Sequence, residues 1–187
     1  MYTFDYLVFI GRFQPFHLAH LETIQIALQQ SRQVIIALGS AQVERNIKNP
    51  FLAAERQDMI LSNFTPEQQT RILFAPIIDV YDDKKWVEQV KSGVYALAPS
   101  TSKIGLIGHF KDESSYYLKL FPEWHMVELD SLKQSMSATP LREAFYEGCI
   151  DESAFPQGTI AFLKAFEKTD TYRELQHKFS YHDSSNL

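Results

Sequence analysis

Short apolar runs alternate along the chain with segments in which apolar residues have helical spacing. The runs cover residues 7–10, 34–38, 72–74, 104–107 and 126–129. The helical segments cover residues 17–30, 52–63, 83–97 and 113–121. A run that is apolar at every position is typical of a strand buried on both faces, and strands that alternate with helices form parallel sheets. The pattern therefore predicts an α/β protein, with a parallel sheet and helices on both of its faces.

The last quarter of the chain has a different pattern. Helical spacing alone is found there, over residues 138–147, 158–167 and 170–179. No repeat, low-complexity segment or linker rich in Pro, Gly or Ser divides the chain. We therefore expect a single domain over residues 1–187, with a core at 1–135, C-terminal helices at 136–180 and a polar tail at 181–187.

Composition is that of a globular protein and argues against several functions. Of the 187 residues, 45% are hydrophobic and 13% are aromatic, which argues against disorder. A net charge of −5 argues against nucleic acid as a partner. The single Cys149 cannot form an intrachain disulfide, the N-terminus lacks the basic region of a signal peptide, and no apolar stretch has membrane-spanning length. We expect a cytoplasmic protein with no membrane partner.

The segment GRFQPFHLAH, residues 11–20, is the first candidate for chemistry. It joins the first predicted strand to a predicted helix, and a strand, a glycine turn and a helix present backbone N–H groups to an anion. His17 and His20 share a face of the first helical turn, and Arg12 lies just upstream. These groups suit a polyphosphate, although two surface histidines or two zinc ligands are alternatives. Zinc is the weaker alternative because the sequence has no HExxH motif and one cysteine, so no protein metal site is predicted.

A second candidate anion site is the segment SMSATPLR, residues 135–142. Ser137 and Thr139 offer hydroxyl groups at a predicted helix start, Pro140 fits the first turn, and Arg142 follows closely. Ordinary helix capping would explain this segment by itself. Because two such helix starts occur in one domain, we expect both to bind one polyphosphate.

Other polar groups follow the predicted strands, where the ligand crevice of an open parallel sheet lies. Gly11, Gly39 and Gly108 all fall at the carboxyl ends of strands. The stretch at 108–117 is dense in hydrogen-bonding side chains, and as a cluster it suits the lining of such a crevice.

Two further segments have both a structural and a functional interpretation. Each of the acidic residues Asp79, Asp82 and Asp83 either caps the next helix or lines the crevice. Trp86 belongs either to the core or to a platform on which a flat aromatic ring stacks. Arg56 either forms a solvated pair with Glu55 or stands on the first turns of a helix, within reach of a ligand.

Together these segments resemble a known family. GRFQPFHLAH, NPFLAAER (residues 49–56) and SMSATPLR resemble the nucleotidyltransferase superfamily with its (H/T)xGH and SxTxxR signatures. Three segments are similar to those of the nicotinamide mononucleotide (NMN) adenylyltransferases. They are GRFQPFH (residues 11–17), the segment from Asp79 to Trp86, and GHFKDESSYYLKLFPEWHMVEL (residues 108–129). The bacterial branch that is usually fused to a Nudix hydrolase domain is the most similar. The resemblance implies a Rossmann-like, doubly wound nucleotidyltransferase fold with a C-terminal helical segment.

The resemblance also implies roles for residues of this sequence. His17, His20 and Arg142 match the residues that stabilise the charge developing during group transfer. The positions that match ATP-binding residues of the family are Gly11, Arg12, Phe13, His17, His20, Arg56, Gly108, Ser137, Thr139 and Arg142. The positions that match NMN-binding residues are Asp79, Asp83, Trp86, His109, Lys111 and Asp112. Among these, Trp86 would stack on the nicotinamide ring.

The implied activity is adenylyl transfer from ATP to NMN, which gives NAD⁺ and pyrophosphate in NAD biosynthesis. ATP, accompanied by Mg²⁺, and NMN are the expected small-molecule partners. The first motif is shared with enzymes of the same fold that act on pantetheine phosphate, FMN or a polyol phosphate, so these acceptors are alternatives. A nucleotide-sensing domain without turnover is an alternative from a different functional class.

Two features depart from the family pattern. Ala19 stands where the signature has glycine, which adds a methyl group where the nucleotide packs, and we expect this change to be tolerated. No Nudix box is found, so no hydrolase activity is expected of this chain. It would be either a stand-alone enzyme or one half of a fusion to a Nudix domain outside the chain. A homo-oligomer is also compatible with the sequence.

Overall fold

The computed structural model of the protein describes residues 1–109, 113–129 and 136–184, and within them five strands form one parallel sheet. The strands are β1 (Phe4–Gly11), β2 (Ser31–Leu38), β3 (Ile72–Pro76), β4 (Ile104–Gly108) and β5 (His125–Glu128). Their spatial order is β3-β2-β1-β4-β5, and every neighbouring pair is parallel. The predicted α/β class and parallel sheet are therefore confirmed.

The helices follow the strands as predicted, with three differences. They are α1 (Leu18–Gln30), α2 (Ala53–Leu61), α3 (Pro66–Gln69), α4 (Asp83–Tyr95), α5 (Ala138–Tyr146), α6 (Gln157–Phe166) and α7 (Asp170–Ser184). The short α3 is not evident from the apolar pattern. It begins because Thr65 Oγ1 accepts a hydrogen bond from the Gln68 backbone N–H, with Pro66 in the first turn.

The second and third differences lie in the segments 113–121 and 170–179. The first is a 3₁₀ helix, Glu113–Leu120, rather than an α-helix. A 3₁₀ turn aligns side chains three residues apart, and Leu118 and Phe121 are both buried in the same core cluster. Helix α7 continues to Ser184, which takes it into the expected tail at 181–187.

Alternate strand residues build two hydrophobic cores, one on each face of the sheet. Leu7 and Phe9 of β1 pack with α1, α2 and the C-terminal helices, whereas Val8 and Ile10 pack with α4 and the 3₁₀ helix. This division explains why β1 is apolar at successive positions, since both of its faces are covered. The C-terminal helices thus complete the first core instead of forming a separate unit.

The sheet order creates a switch point between β1 and β4, because the chain winds outward from β1 in both directions. Ligand crevices of open α/β sheets lie at such points, outside the carboxyl ends of the strands. Gly11 and Gly108 end the two strands concerned. Across the three described stretches, no helix combines the length and apolar character needed to cross a membrane.

Candidate active site

The junction between β1 and α1 brings the two predicted histidines into contact. His17 is the N-cap residue of α1, and its backbone N–H donates to Nδ1 of His20 over 3.2 Å. The two imidazole rings stack with 3.5 Å between their centroids. Because Nδ1 of His20 accepts this bond, the neutral ring carries its proton on Nε2. That tautomer is the one suited to donating a hydrogen bond to a phosphate oxygen.

Aromatic rings hold His20 in place. Phe13, which is 2% exposed, meets the His20 ring edge-on at 4.8 Å, and Phe16 stacks on it at 5.6 Å. A Cβ atom on Gly11 would lie 2.7 Å from the Phe13 ring, so glycine is needed for this close approach. Phe13, predicted as an ATP-binding residue, therefore supports His20 from behind.

A cavity of about 220 Å³ lies at the switch point, and we name it the histidine cavity. His17 and His20 form part of its wall, and Gly11 and Gly108 contribute the ends of β1 and β4. Ala19 also lines it, so the extra methyl group at the signature position lies in the cavity wall. Apolar side chains from both strands make up much of the remainder. Its lining is Phe9, Ile10, Gly11, His17, Ala19, His20, Thr23, Ile107, Gly108, His109, Tyr117 and Leu118.

A second cavity, of about 200 Å³, lies where the start of α5 approaches the β1–α1 junction, and we name it the arginine cavity. Arg12, Lys48 and Arg142 supply three cations, and no carboxylate is found among the described residues that line it. Ser137 and Thr139 line it from the start of α5, as predicted for the second helix start. The cavity is therefore suited to a polyanion.

Arg142 is anchored by the backbone of the first motif. Its Nη1 donates to the carbonyl oxygen of Gln14 over 2.8 Å, and its Nη2 lies 3.5 Å from Thr139 Oγ1. Burial lowers the pKa of the Arg142 guanidinium. Ser137 is the N-cap residue of α5, but its side chain makes no capping hydrogen bond. The two predicted helix starts thus meet at one site.

A third cavity, of about 400 Å³, surrounds the predicted stacking residue, and we name it the indole cavity. Trp86 is half-buried; the rings of Tyr117 and Phe121 lie at 5.7 and 5.9 Å from it, at steep angles. Asp79 and Asp83 line the cavity as well. The helix-capping alternative holds for Asp82, whose Oδ1 accepts a hydrogen bond from the Lys85 backbone N–H at the start of α4. The full lining is Arg12, Ser40, Asp79, Val80, Tyr81, Asp83, Trp86, Tyr116 and Tyr117.

The three cavities share walls. His17 and His20 line both the histidine cavity and the arginine cavity. Arg12 lines both the arginine cavity and the indole cavity. Tyr117 stands between the indole cavity and the histidine cavity, and burial raises the pKa of its hydroxyl group, with the charge of Arg12 opposing. A ligand that extends from one cavity into the next therefore passes a histidine, an arginine or Tyr117.

The expectation that Arg56 faces a triphosphate needs correction. Its side chain is 1% exposed and lines none of the three cavities. It does not pair with Glu55, whose carboxylate binds Arg45 instead. Residues 49–56 turn the chain inward because the first turn of α2 packs beneath the loops that follow β1 and β2. The Arg56 guanidinium is bonded to backbone carbonyl groups of those loops.

His109, predicted with Trp86 as an NMN-binding residue, lies in a different cavity from Trp86. His109 lines the histidine cavity, on the other side of Tyr117 from the indole cavity. Its Nδ1 lies 2.7 Å from the Leu129 carbonyl oxygen and its Nε2 lies 3.4 Å from Thr23 Oγ1. The end of β4 points toward α1 rather than α4, and sequence position alone does not reveal this. Lys111 and Asp112, also predicted to bind NMN, lie outside the described residues.

Two lining residues are not singled out by the sequence pattern. Lys48 comes from the loop before α2, and Tyr117 comes from the 3₁₀ helix. A signal for Lys48 was present, because it directly precedes the NPFLAAER segment. In the described part of the chain, no three His, Cys, Asp or Glu side chains form a group able to hold a metal ion.

The fold and the three cavities define an α/β protein with a site suited to a nucleotide at the switch point of its parallel sheet. The cytidylyltransferase-like family matches residues 8–104. The chain is 74% identical over its full length to the nicotinamide/nicotinic acid mononucleotide adenylyltransferase of Acinetobacter baylyi, and covers all of that protein. It is 31% identical, over 89% of both chains, to the nicotinamide-nucleotide adenylyltransferase of Thermoplasma volcanium. The chain belongs to the cytidylyltransferase-like family and, within it, to the nicotinamide mononucleotide adenylyltransferases.

A solved structure supports the fold as well. It is a bifunctional NMN adenylyltransferase/ADP ribose pyrophosphatase from Francisella tularensis, complexed with AMP and a manganese ion. The TM-score is 0.86 at 38% identity, over 95% of this chain. The chain spans about half of the Francisella protein, 53% of its length. The Rossmann-like nucleotidyltransferase fold implied by the sequence motifs is confirmed.

Proposed function

We propose that the protein transfers the adenylyl group of ATP to NMN, giving NAD⁺ and pyrophosphate in the cytoplasm. The observation that carries the proposal is the way the three cavities share walls. Adenosine occupies the histidine cavity, the β- and γ-phosphates occupy the arginine cavity, and the pyridine ring lies on Trp86 in the indole cavity. His17 and His20, which line the first two cavities, then flank the α-phosphate.

The chemistry requires alignment and charge neutralisation more than acid or base catalysis. An oxygen of the NMN 5′-phosphate attacks the α-phosphorus of ATP, and the bond from that phosphorus to the bridging oxygen of the β-phosphate breaks. The electron pair leaves with pyrophosphate. Because the attacking phosphate is already an anion, no side chain has to remove a proton. His17, His20 and Arg142 donate to oxygens that gain charge, and Arg12 holds the two reacting phosphates together.

Mg²⁺ enters this proposal with ATP as part of the substrate. Mg²⁺ keeps several waters and binds substrate phosphates more readily than protein cages. The Francisella relative was crystallised with a manganese ion. We assign the metal to the phosphates in the arginine cavity, whose described lining consists of cations and neutral groups.

The direct test is to supply the purified protein with ATP, Mg²⁺ and one acceptor at a time. NMN, pantetheine phosphate, FMN and a polyol phosphate form the panel, with pyrophosphate and the adenylylated product both measured. We expect NAD⁺ from NMN and no product from the other three acceptors. Turnover of another acceptor without NMN would overturn the choice of substrate. Tight ATP binding with no product from any acceptor would instead support a sensing domain.

The position of His109 in the histidine cavity gives a separate prediction. Replacing His109 by alanine should raise KM for ATP about two- to tenfold, the scale of one net hydrogen bond, and leave KM for NMN within twofold. Steady-state kinetics with each substrate varied in turn would measure both constants.

His125→Ala is the matched control for this experiment, because His125 begins β5 at the opposite end of the sheet. It should change neither KM. If His109→Ala raised KM for NMN alone, His109 would contact NMN, as Trp86 is proposed to do.

A further inference from the structure

A buried cation lies beneath the loops that separate the arginine cavity from the indole cavity. Arg56 Nη1 donates to the carbonyl oxygens of Arg12 and Gly39 over 2.7 and 2.8 Å, and Nη2 donates to that of Ser40 over 3.2 Å. No carboxylate of the described residues forms an ion pair with it. One guanidinium thus joins the loop after β1 to the loop after β2.

The three bonds determine where the backbone N–H groups of these loops point. The carbonyl of one residue and the N–H of the next belong to one planar peptide, and in a trans peptide they point in opposite directions. The carbonyls of Arg12 and Gly39 point toward Arg56, so the N–H groups of Phe13 and Ser40 point away from it. In the described part of the chain, neither N–H has a protein acceptor.

Phe13 and Ser40 both have a backbone conformation that residues other than glycine rarely adopt. Phe13 has φ of 54° and Ser40 has φ of 53°. A residue with positive φ can form part of a concave arrangement of successive backbone N–H groups, and such arrangements bind anions. Phe13 lines the arginine cavity, Ser40 lines the indole cavity, and Arg12 lines both.

Arg56 carries a cost that ordinary packing does not require. Burial lowers the pKa of its guanidinium to about 10, with the nearby Asp79 opposing and Arg12 adding to the decrease. The group is still charged at neutral pH. Its Nε atom is buried and has no hydrogen-bond partner among the described residues. Desolvation of such a cation is unfavourable, and a buried cation bonded to two loops fits a role in specifying their arrangement.

We propose that Arg56 is a positioning residue for adenylyl transfer. It holds the loops after β1 and β2 so that Arg12 and the backbone N–H groups of Phe13 and Ser40 face the point where the NMN phosphate meets the α-phosphate of ATP. The inference rests on the proposed function, because it concerns the alignment of those two phosphates. Loss of the three bonds lets the loops move while the surfaces that bind adenosine and the pyridine ring stay in place.

The test compares Arg56→Lys and Arg56→Gln with the wild-type enzyme. Lysine keeps the charge but has one nitrogen in place of the guanidinium fork, and glutamine keeps one amide donor without charge. We expect kcat per folded protein to fall about ten- to a hundredfold in both variants, the effect of misaligned reacting groups, while both KM values stay within threefold. The folded fraction and Tm are measured on the same samples.

Arg45→Lys is the matched control. Arg45 is half-buried, binds Glu55 and the Pro50 carbonyl, and lies outside all three cavities. The Arg45→Lys variant should show at most a lower Tm, with kcat and both KM values unchanged. If Arg56→Gln does not fold, Arg56→Lys alone decides the question.

An unchanged kcat in a folded Arg56→Lys variant would overturn the inference. The inference would also be overturned if both KM values rose by the same factor by which kcat falls. A wild-type enzyme that makes no NAD⁺ would contradict the proposed function instead, so the two failures are distinguishable.

Discussion

Replacing His20 by alanine is expected to lower kcat about a hundredfold or more, with a smaller rise in KM for ATP. Loss of one preorganised donor to an oxygen that gains charge in the transition state has this magnitude. His20 lines both the histidine cavity and the arginine cavity, where the α-phosphate of bound ATP would lie. The rest of the ATP molecule keeps its contacts, so ground-state binding changes less than the rate.

The measurement is steady-state formation of NAD⁺ with ATP and NMN varied separately. His20→Asn is a useful second variant, because its side-chain oxygen can accept the hydrogen bond that His17 N–H now donates to Nδ1. The helix start then keeps its cap, and kcat should still fall. His177→Ala is the control, since His177 is an exposed histidine of α7. Near-normal turnover in both His20 variants would show that the assigned role is wrong.

Replacing Trp86 by alanine is expected to raise KM for NMN about ten- to a hundredfold, because an aromatic side chain stacked on one base contributes about 1–3 kcal/mol. KM for ATP should stay within twofold. The Trp86 indole lines the indole cavity, and none of the other two cavities includes it. Trp86→Phe should give an intermediate KM for NMN, since a smaller ring keeps part of the stacking area.

The second tryptophan of the protein provides the control. Trp124 is 5% exposed and stacks on Phe121 with 4.8 Å between the ring centroids, so it belongs to the core. Trp124→Phe should lower Tm and leave KM for NMN unchanged. In that background Trp86 is the one tryptophan, and NMN should quench its fluorescence. Equal rises of both KM values in Trp86→Ala would count against stacking.

The local pattern along the chain was sufficient to predict the sheet and most of its helices. The strands β1 to β4 contain apolar residues at successive positions because helices cover both faces of the sheet, and this pattern can be read without any tertiary contact. The 3₁₀ helix Glu113–Leu120 was not readable in this way, because a buried aromatic or leucine every third residue fits either helix type. Leu118 and Phe121 pack in the core on the α4 side, a tertiary contact that the local pattern does not contain.

The residues of the site also differ in how far the sequence predicts their positions. His17 and His20 are three residues apart at a helix start, so their contact follows from helix geometry and was predictable. The elements that hold Arg56 and His109 were predicted correctly, but the direction in which each side chain points was not. Whether a guanidinium points to solvent or to three carbonyls depends on loops that are 16 to 44 residues away in sequence.

The sequence alone determined the α/β class, the strand–glycine–helix junction with its two histidines, the second helix start at Ser137 and the presence of a tryptophan after β3. These properties depend on residue type and on spacing within one element, and both can be read from the sequence. The sequence also predicts that the two helix starts bind one polyphosphate, although only the tertiary structure shows the cavity that they share. Tertiary structure alone decided that Lys48 lines this cavity, that His109 lies beside α1, and that Arg56 is buried. Each of these depends on which strands are neighbours, and the β3-β2-β1-β4-β5 order is a property of the whole fold.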